Sequence, residues 1–306
     1  MKKRTTIIWC FTDGKKGHQN QSMSLISQLS SKIECAVEII DIPKQNSFLS
    51  ALILNNLAVL KDLKKPDLLV GAGHKTHLYI LYSKLIFGGK SVLLMKPSLP
   101  IKWFDLSIIP EHDVEKINNS IFISKGPLVK FTHKYYKKIR GQNLILIGGE
   151  SKHYEWDSIK IINQLKKIIE NNPKESFILT SSRRTPKNFI SKIPKELKVN
   201  MKVFLYHETK ESWMNRAISE SSYIWVTVDS YSMIYESLNS GAKVGVLNLE
   251  NKNTKLSRAI SKLIAKKIIF TWDEKLTYKT QRKPVYKYNE AERCSKYIIN
   301  RFLSKV

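Results

Sequence analysis

One segment, Tyr223 to Leu247 (YIWVTVDSYSMIYESLNSGAKVGVL), constrains the fold more than any other part of the chain. It reads as a buried strand, a polar turn, a helix and a second strand, which is the pattern of a βαβ unit in a parallel sheet. A helix that starts directly after a strand offers free N–H groups and a positive dipole to an anion. The segment therefore predicts a phosphate ligand at the start of this helix. The polar turn and the helix carry the candidate ligand-binding residues Asp229, Ser230, Ser232, Met233 and Glu236.

Two further loops also follow predicted strands. TSSRRTP (Thr180 to Pro186) contains Ser182 and the adjacent arginines Arg183 and Arg184, and guanidinium groups suit forked hydrogen bonding of phosphate oxygens. IGGES brings Gly148 and Gly149, whose backbone can approach a phosphate or a sugar. Each motif alone fits an ordinary cap, turn or solvated cation equally well. Together they favour a diphosphate.

Short apolar stretches alternate with helix-like stretches along most of the chain, which predicts an α/β protein with parallel sheets covered by helices. The first alternation includes a helix at 48–60 and ends near a basic segment, 134–141, that is typical of a linker. The second begins at Leu144. We predict two Rossmann-like domains, 1–140 on the acceptor side and 141–306 on the nucleotide side, with a final helix at about 289–304 that could pack back on the first domain.

The loop TDGKKGHQNQ (Thr12 to Gln21) follows the first strand and combines an acid, an imidazole and amide side chains. Asp13 or His18 could accept a proton from an attacking hydroxyl, and Gly14 and Gln21 would line the cleft. The alternative is a simple β-turn followed by a helix start.

The loop GAGHKTH (Gly71 to His77) follows the third strand and contributes Gly73, His74 and Thr76 as further cleft residues. His74 and His77 are spaced i and i+3, which permits metal ligation, but the sequence places no third ligand near them. We predict no metal site. No DxD pair, Walker loop or GxGxxG fingerprint is present, which argues against magnesium-dependent single-domain sugar transferases, P-loop ATPases and NAD enzymes.

The net charge of +26, from 52 basic and 26 acidic residues, predicts attraction to polyanions: nucleic acid, anionic lipid or phosphorylated glycolipid. A lysine-rich coding bias is the alternative, because the lysines are spread along the whole chain. Nucleic acid is not expected, because no binding motif is visible. The apolar stretches are too short to span a membrane, and no signal peptide is expected. Three widely spaced cysteines fit a reducing cytoplasm.

The series DGKKGHQNQ, GAGHKTH, IGGES, TSSRRTP and VTVDSYSMIYES resembles the mitochondrial-fission-type family of GT-B-like glycosyltransferases, which has bacterial members grouped with O-antigen-modifying transferases. The resemblance covers nearly the whole chain. It implies a GT-B fold of two facing Rossmann-like domains with a cleft between them, and metal-independent chemistry without a cofactor. It also implies that Arg183, Ser230, Ser232 and Glu236 line the donor site, with Glu236 at the ribose hydroxyls.

The expected function is transfer of a sugar from a nucleotide-diphosphate-sugar to a cell-surface glycolipid or oligosaccharide of the lipopolysaccharide core or O-antigen type. The expected location is cytoplasmic, peripheral on the inner face of the cell membrane and in contact with its anionic surface. The residues leave open whether His18 or Asp13 is the base. A noncatalytic scaffold that binds nucleotide-sugars at a membrane surface is the alternative function.

Overall fold

The computed structural model describes residues 4–42, 59–129, 136–272 and 288–304. The chain divides into two compact units, one of Met1–Lys130 with Asn289–Val306 and one of Phe131–Tyr288. The division falls after Lys130 rather than after residue 140, where the sequence predicted it. The predicted helix at 48–60 lies outside the described residues, except for its end, which forms part of a 3-10 turn at Val59–Asp62.

The first unit is built on a six-stranded parallel sheet with the strand order β2-β1-β3-β4-β5-β6. Helices α1 and α7 pack against each other on one face, and helix α2 packs on β3. The strands are β1 (Thr6–Thr12), β2 (Cys35–Asp41), β3 (Leu68–Ala72), β4 (Lys90–Leu94), β5 (Leu106–Pro110) and β6 (Ile121–Ser124), and the helices are α1 (Lys16–Ser30), α2 (Thr76–Phe87) and α7 (Glu290–Ile298).

The second unit has its own six-stranded parallel sheet, with the order β10-β9-β7-β11-β12-β14, and a separate antiparallel pair of β8 and β13. Its first strand begins at Ile139, so the end of the segment predicted as a linker is strand. The strands are β7 (Ile139–Leu146), β8 (Tyr154–Glu155), β9 (Ser176–Thr180), β10 (Met201–Phe204), β11 (Ser221–Thr227), β12 (Lys243–Leu247), β13 (Glu250–Asn251) and β14 (Phe270–Thr271), and the helices are α3 (Ser158–Glu170), α4 (Glu211–Glu220), α5 (Tyr231–Asn239) and α6 (Lys255–Ala265).

Central strands of both sheets are continuous apolar runs because helices cover both faces of a parallel sheet. All residues of β3 and β5 are buried. One face of the first sheet packs against Leu25 and Leu29 of α1 and Cys294 of α7, and the other face buries Trp9 and Phe104. No helix among the described residues combines the length and the apolar character needed to cross a membrane.

The strand order reverses once in each sheet. The chain runs from β1 outward to β2 and then returns to place β3 on the other side of β1, and it likewise places β9 and β11 on opposite sides of β7. The loops after β1 and β3, and those after β7 and β11, therefore flank a crevice at the carboxyl edge of each sheet. Such switch points are where open α/β sheets bind ligands.

Candidate functional site

Asp13 and His18 form a hydrogen-bonded pair after β1. Helix α1 begins at Lys16, inside the segment Thr12 to Gln21 that the sequence predicted as a loop, so His18 lies in its first turn. One carboxylate oxygen of Asp13 accepts the Lys15 backbone N–H at 3.1 Å, and the other lies 2.9 Å from Nδ1 of His18. The Asp13 side chain is 0% exposed and that of His18 is 19% exposed, so only the imidazole is open to a substrate.

The electrostatics of this pair favour an ionised carboxylate. Burial raises the pKa of Asp13, but the hydrogen bonds from His18 and from the Lys15 N–H outweigh it and lower that pKa below its usual range. A carboxylate at Nδ1 selects the tautomer in which Nδ1 carries the proton. Nε2 of His18 is then free to accept a proton.

Gly73, in the loop after β3, packs directly against this pair. Its φ is +87°, and a Cβ at this position would overlap the His18 ring and lie 3.2 Å from the Asp13 carboxylate. The Thr76 hydroxyl is buried and donates to the Gly73 carbonyl at 2.8 Å, so it stabilises the loop from within. Two of the predicted cleft loops thus meet at one point of the sheet. Of the other predicted cleft residues, Gly14 and His74 are exposed and Gln21 is half-buried.

His77 is buried beside this loop and is part of the core. Its Nδ1 lies 3.2 Å from the Ser98 hydroxyl, and its ring packs edge-on against Phe104. Burial, with a smaller contribution from the positive charge of His74, lowers the pKa of His77 to about 4. His77 is therefore neutral at physiological pH.

Three loops of the second unit converge where β7 and β11 end. The Gly148 N–H donates to the Thr227 hydroxyl at 2.7 Å, and the Gly149 N–H donates to the Asp229 carboxylate at 3.0 Å. A Cβ on Gly148 would overlap the Asp229 carboxylate, and one on Gly149 would overlap the Arg184 carbonyl. The two glycines are therefore required by the close approach of these loops.

Hydroxyl groups from the loop after β9 hold the same cluster. Ser182 Oγ donates to the Gly148 carbonyl at 2.7 Å, and Thr185 Oγ1 lies 2.5 Å from that carbonyl oxygen. The guanidinium of Arg184 contacts the Asp229 carboxylate at 2.9 Å and donates to the carbonyls of Gly149 and Glu150. Arg184 thus has protein partners on three sides.

Asp229 occupies an unusual position for an acid. Its side chain is 0% exposed. Burial raises its pKa above the usual range, although the Thr227 hydroxyl, the Gly149 N–H and the Arg184 guanidinium act in the opposite direction. Because it contacts both Gly149 and Arg184, the Asp229 side chain joins the loop after β7 to the loop after β9.

The N-terminus of α5 opens beside this cluster. Ser230 is the N-cap residue and its hydroxyl does not hydrogen-bond the helix, so the first-turn N–H groups have no side-chain cap. Ser232 is exposed, and Met233 and Glu236 are half-buried. Arg183 is exposed and makes no hydrogen bond or ion pair with the described residues. Unlike Arg184, it can turn its whole fork toward a ligand.

Sequence reasoning did not single out Thr185 and Thr227, which fix the Gly148 loop. The signal for Thr227 was a polar residue directly after the apolar run Ile224–Val226, and it is fully buried. Across the part of the chain that the structure describes, no three His, Cys, Asp or Glu side chains are placed to share a metal ion.

The chain has two parallel sheets, and the strand order reverses once in each. This is the GT-B fold, as predicted from the motifs. It belongs to the family described as mitochondrial fission ELM1, whose model matches residues 16–302. A Rickettsia prowazekii (strain Madrid E) protein, the uncharacterized protein RP120, is 25% identical over 350 residues, which cover 95% of this chain and 97% of RP120.

Solved structures agree on the fold. The UDP-GlcNAc 2-epimerase from Neisseria meningitidis bound to UDP-GlcNAc is similar with a TM-score of 0.55 and 14% identity, over 98% of this chain and 100% of that one. A glycosyltransferase from Rickettsia africae is similar with a TM-score of 0.51 and 11% identity, over 98% of this chain and 95% of that one. Identities this low establish the fold and leave the activity to be argued from the site.

Proposed function

We propose that this protein is a metal-independent glycosyltransferase. It would move a sugar from a nucleotide-diphosphate-sugar to a cell-surface glycolipid or oligosaccharide, of the lipopolysaccharide core or O-antigen type, at the cytoplasmic face of the membrane. The observation that carries the proposal is the loop cluster of Gly148, Arg184 and Asp229 at the switch point of the second sheet, beside the uncapped N-terminus of α5.

The donor would bind through its diphosphate. First-turn N–H groups and the helix dipole of α5 attract negative charge, and the exposed guanidinium of Arg183 adds a forked donor without losing a protein partner. Ser230, Ser232 and Met233 lie on that first turn, and Glu236 lies one turn further, where its carboxylate would accept the ribose hydroxyls. Arg184 would act through its contact with Asp229, keeping the Gly148 and Gly149 backbone in place.

The chemistry needs negative charge stabilised on the leaving group and a proton removed from the acceptor. As the glycosidic bond breaks, the diphosphate gains charge, which the α5 dipole and Arg183 would stabilise. His18 would take the acceptor hydroxyl proton at Nε2, and Asp13 would hold its ring and tautomer as a positioning residue. Asp13 is the weaker candidate for the base, because both of its oxygens have protein partners and the side chain is 0% exposed.

A transfer assay tests the proposal. Purified protein is incubated with a panel of nucleotide-sugars and a surface-glycan extract, and nucleoside diphosphate release and the mass of the glycan are measured together. We expect both to change with one donor, and not with His18→Ala. Nucleotide-sugar binding without any transfer would indicate the scaffold alternative. Inversion at a carbon of the donor sugar without an acceptor, seen by NMR, would indicate an epimerase and contradict the proposal.

A further inference from the structure

Four large apolar side chains of the first unit are exposed at one edge of its sheet. Leu85 and Ile86, 80% and 46% exposed, precede β4; Trp103, 48% exposed, precedes β5; and Ile117, 77% exposed, precedes β6. The strands β4, β5 and β6 are parallel neighbours. Because adjacent strands lie about 4.8 Å apart, their three beginnings fall within roughly 10 Å of one another. We call these four residues the amino-edge surface.

Ion pairs join two of the three segments that carry this surface. Asp105, two residues after Trp103, contacts Lys84 at 2.6 Å and Lys90 at 3.6 Å. Burial raises the pKa of Asp105, but the lysine and two hydrogen bonds from Ser91 lower it below its usual range. The end of α2 and the segment before β5 are thus held side by side.

Each exposed apolar group has a lysine next to it in sequence. Lys84 precedes Leu85, Lys102 precedes Trp103 and Lys116 precedes Ile117, and Lys102 and Lys116 are exposed. Segments 84–90, 101–105 and 116–121 contain a single acid, Asp105. Their four lysines against this one acid give the segments a net positive charge, and the neighbouring Glu115 pairs with Lys96.

A surface pocket of about 610 Å³ lies at the start of β6, and its lining includes Asn118, the residue after Ile117. Arg301 Nη1 donates to the Asn119 carbonyl at 2.6 Å and to the Tyr297 hydroxyl at 2.8 Å, so the guanidinium is held at the wall of the pocket. A π-helical turn, Ile299–Leu303, presents it there. Amide groups and a fixed guanidinium suit the phosphate and hydroxyl groups of a lipid headgroup. The pocket is lined by Asn118, Asn119, Ile121, Tyr297, Asn300 and Arg301.

We propose that the amino-edge surface docks the protein on an anionic lipid bilayer, with Leu85, Trp103 and Ile117 inserted among the headgroups and the exposed Lys102 and Lys116 on lipid phosphates. This inference deepens the proposed function and rests on it for its setting, since a glycolipid acceptor lies in a bilayer. A Trp and aliphatic side chains interleaved with lysine are the composition that membrane interfaces favour, whereas protein interfaces are depleted in lysine.

The placement of the surface constrains the acceptor. His18 lies at the carboxyl edge of the same sheet, and strands of five residues separate the two edges by about 17 Å. An enzyme docked by its amino edge would hold His18 at least that far from the bilayer. The acceptor class is then a lipid-linked glycan whose reacting sugar is separated from the lipid by several others.

Vesicle sedimentation tests the surface. The probes are vesicles of phosphatidylcholine alone and of phosphatidylcholine mixed with phosphatidylglycerol. We expect binding to the mixed vesicles only, a loss of at least about tenfold in Leu85→Ser/Trp103→Ser/Ile117→Ser, and a loss of about fivefold for each of Lys102→Gln and Lys116→Gln.

Matched controls come from the second unit, where Ile159 and Val199 are 68% and 82% exposed and lie beside Lys160 and Lys198. Ile159→Ser/Val199→Ser should bind vesicles like the parent. An equal loss in this control, or no loss in the amino-edge variants, would overturn the inference. A different result would also overturn it: a parent that forms oligomers and does not bind vesicles, while the triple variant is monomeric. The surface would then be an interface with a second copy of the chain. Nucleotide titration of the same samples separates the two proposals, since it reports the donor site independently of vesicles.

Discussion

Replacing Asp13 with asparagine tests the role of the His18 pair. Asparagine keeps the shape of the side chain, and its carbonyl oxygen can still accept the Lys15 N–H, now at 3.1 Å. That bond orients the amide so that its NH2 group faces Nδ1 of His18, at the present 2.9 Å. Nδ1 must then accept a hydrogen bond, which moves the ring proton to Nε2. His18 would carry a proton on the nitrogen that is meant to receive one.

The magnitude follows from this geometry. The opposite orientation of the amide would leave the Lys15 N–H facing NH2 and cost about 1 to 3 kcal/mol, so the wrong tautomer dominates. Loss of a general base typically costs 10² to 10⁴ in rate, and we expect kcat for Asp13→Asn to fall within about that range. Donor affinity should not change, because the donor loops belong to the second unit. The assay is initial-rate kinetics, with calorimetry for the dissociation constant of the donor.

Asp67→Asn is the matched control. Asp67 also accepts a backbone N–H, that of Ile7 at 2.8 Å, and pairs with Arg4, but it lies at the opposite edge of the sheet. We expect it to lower stability slightly and to keep the parental kcat. An Asp13→Asn protein with a kcat close to that of the parent would refute the assignment of the His18 tautomer.

Arg184→Ala should lower the free energy of unfolding by about 1 to 3 kcal/mol, because Asp229 loses a cation while two carbonyls lose donors; an unchanged urea midpoint would contradict this. Gly73→Ala should lower kcat without changing donor affinity, because a Cβ would displace the His18 ring. Initial-rate kinetics measure the first quantity and calorimetry the second. The pKa of His77 is about 4 in the folded protein and 6.5 in the unfolded chain, so between these pH values only the unfolded chain binds the proton. The free energy of unfolding should therefore fall by about 3 kcal/mol from pH 6.5 to about pH 4 in the parent but not in His77→Gln, as measured by denaturation at each pH. Transfer should survive EDTA, and activity that a divalent ion alone restores would contradict the metal-independent mechanism.

The sequence was sufficient for the first sheet and for five strands of the second, because each is a local apolar run bounded by polar turns. The two-residue strands β8, β13 and β14 are too short to show such a run. Leu68–Ala72 and Leu106–Pro110 are buried throughout, and their apolar residues alone predict that. Motif order was sufficient for the family and hence for the fold. The start of α1 was placed too late, since residues 16–20 are polar and carry no periodic signal. Their helix begins where Asp13 accepts the Lys15 N–H, a contact that periodicity does not show.

The sequence could not assign different roles to neighbouring side chains. Arg183 and Arg184 are chemically identical. Only the folded loops show that Arg184 pairs with Asp229, while Arg183 has no ion pair with the residues that the structure describes. Asp13 and His18 were both candidates for the base, and the sequence could not show that the Asp13 side chain is enclosed while the His18 ring is partly exposed. Thr227 entered the site only because β7 and β11 are neighbours, which is a property of the strand order and not of either segment.

The proposed donor site requires that the loops after β7, β9 and β11 bind a nucleoside diphosphate. Calorimetric titration of the parent with a panel of nucleoside diphosphates, beside Arg183→Ala and Arg140→Ala, tests it most directly. Arg140 is also exposed but lies at the amino end of β7. We expect saturable binding of at least one nucleotide, weakened by about 1.5 to 3 kcal/mol in Arg183→Ala and unchanged in Arg140→Ala. Absence of binding to the folded parent, or equal affinity in all three proteins, would contradict it.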